Sequence, residues 1–468
     1  MTDTATTEEI VDTRPRQRHP GPTKRMGLVG LVRTMRDNII QVYPPYIFDK
    51  DYSFRRIGFQ PFILINRPDW IHEVLVEKPE IYVKGRINRR ILGAALGNGL
   101  LTSEGKFWRR QRRISAPAFH YRRLQVLADV MVDCIDGLLE RWATKADTGE
   151  NVDVAKEMMR MTMEIVARTL FTRDITGSVD RLGAAVTVLI ENFGRTPLIE
   201  MLGLPEWLPR PQNRIAREAV ETLDRMIFDL IETRRRSDTP GDDLLQMLLD
   251  ARDPETGEGM DDRQLRDEIV TLFAAGHETT AQALTWAFYL LDQYPEEDER
   301  LHAEAMAVLG DRRPTFDSIH HLNRTRMIFE ETMRIYPPAF TISRVASVTD
   351  RLGGDGPDGL TIPKGAYVNV SPYVTHRNPK LWPDPELFDP ERFADEAVAA
   401  RHKHAYIPFG SGPRICIGSG FALTEGRLAL AMIARRFRLR LKHGHPVQAQ
   451  GIVTLRPRFG MKMRIERR

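Results

Sequence analysis

The stretch Phe409-Gly410-Ser411-Gly412-Pro413-Arg414-Ile415-Cys416-Ile417-Gly418 decides the fold of this 468-residue chain. It holds a single thiol, Cys416, and an apolar run with helical periodicity follows at 421–437. A helix N-terminus presents free backbone N–H groups and the positive end of the helix dipole, which favours a thiolate. Glycines beside the thiol let the chain turn sharply and let a flat ligand approach the backbone. The stretch predicts a thiolate site; the alternative is a buried free cysteine in a glycine-rich turn.

A second segment, Ala275-Gly276-His277-Glu278-Thr279-Thr280, interrupts the apolar stripe of a long helix predicted at 262–291. Glycine inside a helix costs about 1 kcal/mol relative to alanine, so Gly276 indicates a groove on the helix surface. Adjacent helical positions diverge by about 100°. Thr279 is therefore expected to face the site while Glu278 reaches toward a solvent channel. The alternative is the polar face of a partly solvated helix.

A third block pairs a carboxylate with two arginines. Glu331 and Arg334 are three residues apart, so they share a helix face and can form an ion pair. Arg392 follows, 24 residues before Cys416. Glu-x-x-Arg alone is a weak signal, and its value here comes from the order of the motifs. We expect these three side chains to brace the core behind the cysteine loop and to do no chemistry.

In this order, the blocks resemble the cytochrome P450 family from about residue 45 to 468. The resemblance implies a mainly α fold with small β-sheets in a single large domain, and haem b with its iron on Cys416. It also implies that Gly276, Glu278 and Thr279 are catalytic: they make room for oxygen, pass protons and hydrogen-bond the oxygen. The cofactor-binding residues that it implies are Trp108, Arg112, Arg344, Phe409, Gly412, Arg414 and Gly418.

The implied activity is that of a soluble, bacterial-type haem-thiolate monooxygenase. Such an enzyme inserts one oxygen atom from O2 into a lipophilic organic substrate, with electrons from NAD(P)H. The segments at 97–103 and 275–280 resemble the fatty-acid hydroxylase branch, but no flavin reductase follows residue 468. We therefore expect a separate ferredoxin or flavodoxin with its reductase.

Two alternative functions remain open for a chain with these motifs. One is a peroxide-driven peroxygenase, and the branch with that activity carries Arg–Pro where Glu278-Thr279 stands here. The other is a non-catalytic haem sensor, for which the sequence offers no signalling module and which would not need the Glu278-Thr279 pair.

Charge and cysteine content exclude several other classes. The net charge of +4 is small for this length, so the arginine-rich turn at 109–113 does not indicate nucleic-acid binding. Arg109 and Arg113 are expected to point outward, where they either attract an acidic electron-transfer protein or are solvated. The chain has two cysteines, which fits a reducing compartment, and Cys134 is predicted to be a core residue.

The sequence also predicts a cytoplasmic protein without a transmembrane anchor. Residues 1–13 are polar and contain no basic residue, which argues against a secretory signal or a mitochondrial presequence. The longest apolar helix carries polar residues at its centre, which an ordinary membrane span does not tolerate.

Residues 1–45 are predicted to form a flexible leader with a short helix, and the resemblance implies one haem domain at 46–468. Hydrophobic periodicity predicts the individual elements. Helices are predicted at 28–42, 69–77, 106–115, 122–143, 154–171, 179–193, 212–236, 262–291, 295–309 and 324–336. Strands are predicted at 52–57, 62–65, 360–362 and 367–370, with a further hairpin around Val453 and Met463.

A mostly apolar substrate pocket is expected between these elements. Its predicted lining is 86–101, Phe273, Ala274, 339–342, Ile452 and Val453. At its mouth, Arg55 or Arg56 either holds a substrate carboxylate or is a solvated arginine of an edge strand.

Overall fold

The computed structural model describes residues 14–22, 26–85, 92–93, 95–171, 214–238 and 241–468, together with residues 89, 183, 185 and 188. The helix predicted at 179–193 lies outside the continuous part of this description. In chain order the α-helices are α1 Leu28–Asp37, α2 Pro68–His72, α3 Gly105–Ser115, α4 Tyr121–Thr148, α5 Val154–Phe171, α6 Arg214–Arg236, α7 Leu244–Asp250, α8 Asp262–Gln293, α9 Pro295–Leu309, α10 Asn323–Ile335, α11 Pro372–Thr375, α12 Asp395–Ala400 and α13 Ser419–Arg436.

Helix α8 is the central element of the domain. It begins where Asp261 accepts a hydrogen bond from the backbone N–H of Gln264 and ends before Pro295, which cannot continue it. Most of its side chains are buried around the whole circumference, as expected of a helix in the middle of a large core. Helix α5 packs along it, with Val166 lying against Gly276.

The strands form small sheets at the edges of the helical body. They are β1 Tyr52–Ile57, β2 Gln60–Ile65, β3 Tyr82–Val83, β4 Asn151–Asp153, β5 Ile342–Ala346, β6 Asp350–Leu352, β7 Leu360–Ile362, β8 Tyr367–Val370, β9 Phe437–Leu441, β10 Ala449–Gly451, β11 Leu455–Pro457 and β12 Lys462–Arg467. A five-stranded sheet has the order β1-β2-β8-β5-β3, and β4-β12-β9 form a three-stranded sheet. Among the strand pairs of the described residues, β2 and β8 run parallel and the others antiparallel.

One predicted strand pairing is wrong. A hairpin does form around Val453, where β10 pairs with β11. Met463, however, lies in β12, which pairs with β4 and β9 and not with the Val453 hairpin. Sequence alternation marks a strand, but the partner is chosen by which elements the fold brings alongside.

The described part of the leader contacts the domain. Gln17 donates a backbone hydrogen bond to Glu386, and its side chain accepts one from the hydroxyl of Tyr336. Arg16 forms an ion pair with Asp384 at 2.8 Å. Residues 14–22 are thus held against the domain, although the sequence predicted a flexible leader. The boundary at residue 45 stays a prediction.

The architecture confirms the mainly α fold with small β-sheets in one large domain. Among the residues that the structure describes, no helix has both the length and the apolar character that crossing a membrane requires.

Candidate active site

One cavity of about 930 Å³ brings the predicted site residues together. It lies between α8, the cysteine loop, the β5 region and α3. Every predicted catalytic, metal and cofactor-binding residue is in its lining except Gly412. The lining residues among them are Trp108, Arg112, Gly276, Glu278, Thr279, Arg344, Phe409, Arg414, Cys416 and Gly418.

The cysteine loop is shaped by backbone contacts. The backbone N–H of Cys416 donates to the carbonyl of Phe409 at 2.9 Å, which closes the loop. Gly412 has a φ of 69°, and a Cβ there would collide with the carbonyl oxygen of Leu75. Only glycine fits both conditions without strain, so Gly412 shapes the loop from outside the cavity.

The free thiol of Cys416 opens into the cavity, and its pKa is shifted opposite to the direction that the helix N-terminus predicts. Burial raises its pKa, although the backbone N–H of Gly418 and the guanidinium of Arg112 act in the opposite direction. Desolvation of the thiolate therefore shifts the pKa of Cys416 more than the helix N-terminus does. A metal cation on the sulfur would deprotonate a thiol outright. The other thiol, Cys134, is a buried core residue as predicted, and burial raises its pKa to about 12.

The cavity face of α8 carries Gly276 and Thr279. The hydroxyl of Thr279 donates to the carbonyl of Ala275 at 2.9 Å. Because its proton is engaged in the helix, the oxygen faces the cavity as a hydrogen-bond acceptor.

Glu278 does not reach a solvent channel, contrary to the prediction. Its carboxyl is buried, and Oε1 accepts a hydrogen bond from the hydroxyl of Thr454 at 2.7 Å. Burial raises the pKa of Glu278, since the charged form loses its hydration. The helical rotation of about 100° per residue turns Glu278 toward the β10–β11 hairpin.

The part of the cavity lined by α3, β5 and the cysteine loop is rich in cationic side chains. Arg414 stacks on the indole of Trp108, with 3.9 Å between its guanidinium carbon and the ring centroid, and it pairs with Glu104 at 2.5 Å. Burial and the nearby Arg414 and Arg344 lower the pKa of Lys84 to about 6. Burial also lowers the pKa of Arg344 and of Arg112.

This donor set fits the two carboxylates of haem. Burial and mutual repulsion lower the pKa values of Lys84 and Arg414. Among the described residues, Glu104 is the carboxylate ion-paired with Arg414. Anionic groups placed there would offset the repulsion, and arginine matches carboxylate geometry. With Cys416 in the same cavity, the residues present fit haem with a thiolate ligand.

The predicted bracing network is present behind the loop. Glu331 and Arg334 are both fully buried and form two hydrogen bonds of 2.6 and 2.7 Å, and Arg392 lies 3.6 Å from Glu331. Arg334 also donates to the carbonyl of His376, whose ring Nε2 accepts the backbone N–H of Ile407. The network therefore reaches the segment that leads into Phe409.

Other predicted positions are corrected by the structure. Phe273 is buried in the core and does not line the cavity, because its neighbours Leu272 and Ala274 occupy that face of α8. Arg113 is neither free nor merely solvated, since it pairs with Asp253 at 3.1 Å and Glu255 at 2.8 Å.

At the cavity mouth, strand alternation separates the two candidate arginines. Arg55 lines the cavity and donates to the carbonyl of Met26 at 2.7 Å. Its neighbour Arg56 is exposed and is not part of the lining. The proposed carboxylate contact stays a prediction for Arg55.

Sequence reasoning missed Lys84, Glu104 and Thr454. Lys84 and Thr454 line the cavity, but each stands alone in its segment without a motif. The only available signal was a lysine directly after a short apolar strand, which is common on protein surfaces.

Comparison with known proteins agrees with this site. The family model described as Cytochrome P450 matches residues 20–463. "Cyclooctatin synthase" of Streptomyces melanosporofaciens is 38% identical over 86% of this chain and 85% of its own length. "Cyclooctat-9-en-7-ol 5-monooxygenase" of the same organism is 36% identical over 82% of each chain. The crystal structure of the cytochrome P450DA heme domain superposes with a TM-score of 0.83 at 26% identity, covering 95% of this chain and 97% of that one.

The chain belongs to the cytochrome P450 family. Its cofactor is haem b and its enzyme class is the haem-thiolate monooxygenase.

Proposed function

We propose that Cys416 is the axial thiolate ligand of haem in a monooxygenase that hydroxylates a lipophilic substrate. The observation that carries this proposal is the single cavity lined by Cys416, Thr279 and the cationic donors. Haem, when bound, supplies the reductive activation of O2. Trp108, Arg112, Arg344 and Arg414 would hold its carboxylates, and Phe409, Gly412 and Gly418 would shape the loop under it.

The proposed roles on α8 follow from hydrogen bonding. Thr279 Oγ1 is an acceptor toward the cavity, so it can hold a proton donor such as water beside the reacting oxygen. Glu278 has a raised pKa, so it can hold a proton at its carboxyl and release it to a neighbouring acceptor. Gly276 lines the cavity and is proposed to leave room for oxygen; the Cβ that it lacks would lie 3.1 Å from Val166 of α5. Glu331, Arg334 and Arg392 act structurally, as described for the bracing network.

The substrate class is supported by the lining. Most of the residues that line the rest of the cavity are apolar, among them Ala274, Ala283 and Phe340. Cavities of this kind bind lipophilic molecules. The names of the two Streptomyces relatives also refer to the same cyclooctatin compounds. A lipophilic organic molecule is therefore the proposed substrate.

Electrons are proposed to arrive from a ferredoxin or flavodoxin with its reductase. Arg109 and Lys106 are exposed on α3, the helix that also supplies Trp108 and Arg112 to the cavity. An acidic carrier would bind such a surface by charge complementarity. The low cysteine content supports a cytoplasmic location.

The test of the proposed ligand exploits the two cysteines. Cys416→Ser is expected to abolish the thiolate-type Soret band of the ferrous–carbonyl complex, because a hydroxyl cannot replace the thiolate at iron. Cys134→Ser is the matched control and should keep the band, since Cys134 is buried in the core. A thiolate-type band in Cys416→Ser would refute the assignment.

A further inference from the structure

The segment of residues 97–102, here called the roof loop, covers part of the cavity. Leu100 and Leu101 lie in the lining together with Leu96, which precedes the loop. Loops depend on their backbone hydrogen bonds for position, because they lack a regular ladder. The hydrogen-bond partners of the roof loop therefore determine the positions of Leu100 and Leu101.

Two consecutive carboxylates of α8 accept hydrogen bonds from the roof loop. The backbone N–H of Asn98 donates to Asp267 Oδ2 at 2.7 Å, and that of Leu100 donates to Glu268 Oε2 at 3.0 Å. Both carboxylates are buried; Glu268 is 0% exposed. Burying a charged or polar group is costly unless it is hydrogen-bonded. Asp267 is also bonded by Arg266 at 2.9 Å, whereas the other oxygen of Glu268 has no hydrogen-bond partner among the described residues, so Glu268 depends most on the roof loop.

A cation holds the same loop from the other side. Lys84 Nζ donates to the carbonyl of Leu100 at 3.1 Å and to that of Leu101 at 2.6 Å. The backbone N–H of Lys84 donates to Glu104 at 2.9 Å, and Glu104 pairs with Arg414 at 2.5 Å. The peptide groups of Leu100 are thus bonded to α8 on one side and to the cationic region on the other.

The contact between the roof loop and α8 leaves no space for a side chain. A Cβ at Gly99 would collide with the hydroxyl of Thr271 and lie 2.7 Å from the carbonyl oxygen of Asp267. A backbone oxygen cannot move aside without distorting the helix. Gly93, a few residues earlier, has no described atom of another segment within 4 Å of its Cβ position.

We propose that Asp267, Glu268 and Lys84 form a clamp that positions the roof loop over the cavity and sets the affinity for large ligands. They are positioning residues, because they act through the leucines and touch no reacting atom. Oxygen activation at Thr279, about three turns further along α8, does not depend on them. The proposal rests on the proposed function, since the ligand must occupy the haem cavity.

The first experiment compares Gly99→Ala with the matched control Gly93→Ala in the haem-loaded protein. Two probes bind the iron through an azole nitrogen and are followed by the Soret shift: imidazole, a single small ring, and clotrimazole, which carries bulky aryl groups on the azole. Gly99→Ala is expected to weaken clotrimazole about tenfold, which corresponds to about 1.4 kcal/mol. Imidazole affinity should be unchanged, and Gly93→Ala should bind both probes like the wild type.

The second experiment tests the carboxylate. Burial raises the pKa of Glu268 to about 8, so near neutral pH the acid is uncharged and Glu268→Gln is a close substitute. The amide oxygen of the glutamine can still accept the N–H of Leu100, and clotrimazole affinity should be retained. Glu268→Leu has no acceptor and should reproduce the loss seen in Gly99→Ala.

Hydrogen–deuterium exchange of the wild type supplies a readout that does not depend on a variant folding. The amides of Asn98 and Leu100 should be protected, and those of Asp355 and Gly356 in an exposed turn should not. Fast exchange of both amides would overturn the proposal. It would also be overturned if Gly99→Ala and Glu268→Leu bound both probes with wild-type affinity, or lost affinity for imidazole and clotrimazole to the same extent. Absence of the thiolate-type carbonyl band from the wild-type protein would instead reject the proposed function.

Discussion

Thr279 and Thr285 make the same local contact, and their surroundings separate their roles. Each hydroxyl donates to the carbonyl four residues earlier on α8, at 2.9 Å for Thr279 and 2.7 Å for Thr285. Thr279 faces the cavity, whereas Thr285 is 0% exposed in the core. Role therefore depends on what lies in front of the oxygen and not on the helix contact itself.

Thr279→Ala is expected to uncouple electron use from hydroxylation. Without Oγ1, proton donors beside the reacting oxygen lose their acceptor, so electrons leave as peroxide. We expect product per NAD(P)H to fall roughly tenfold, equal to about 1.4 kcal/mol in the partitioning barrier. Peroxide and product are measured together in one reaction. Thr285→Ala is the control, and unchanged coupling in Thr279→Ala would refute the role of this residue.

At the scale of elements, the ion-pair network joins α10 to the cysteine loop. Arg334 donates to the carbonyls of Pro385 and Leu387 as well as to Glu331. The backbone N–H of Asp389 also donates to Glu331, at 2.9 Å. These contacts hold an irregular segment in place where no helix or sheet could satisfy its backbone groups.

Glu331→Ala is expected to destabilise the fold strongly. Its removal leaves the guanidinium of Arg334 buried without a counter-charge, at a cost of roughly 3–5 kcal/mol. Urea unfolding of the haem-loaded protein measures the change. Glu218→Ala is the control, because the Arg214–Glu218 pair of α6 is exposed and such a pair contributes roughly 0.3–0.5 kcal/mol. Similar losses in the two variants would contradict the bracing role.

At the scale of the whole molecule, His19 links the N-terminal segment to the body. Its Nδ1 accepts from the hydroxyl of Tyr373 at 2.9 Å, and its Nε2 donates to the carbonyl of Tyr43 at 2.6 Å. These bonds assign the neutral ring with its proton on Nε2. Burial, and to a smaller degree Arg377, lower the pKa of His19 to about 4.

This lowered pKa predicts a loss of stability in acid. The unfolded chain has the ordinary histidine pKa of 6.5, so below it the unfolded state binds the proton more readily than the folded state. Stability from His19 is complete above pH 6.5 and is lost as pH falls toward 4, by on the order of 3 kcal/mol. The free energy of unfolding of wild type minus that of His19→Gln should fall over this window. Parallel pH profiles of the two proteins would contradict the prediction.

The sequence by itself determined the chemistry and most elements. The cysteine loop, the Gly276-to-Thr279 segment and the Glu331–Arg334 pair are contiguous motifs, so their residues are neighbours in any fold with the right helices. Periodicity likewise placed α5 at 154–171 and β7 at 360–362, with the same bounds as in the structure.

Only the tertiary structure decided which distant groups meet. Thr454 contacts Glu278 across 176 residues of sequence, and Lys84 holds Leu100 while Glu104 pairs with Arg414 across 310 residues. Such contacts arise from how helices and loops pack, and a local pattern carries no information about them. For the same reason the direction of Glu278, the pairing of Arg113 and the partners of Met463 differ from prediction, since burial and packing override the local preference of each segment.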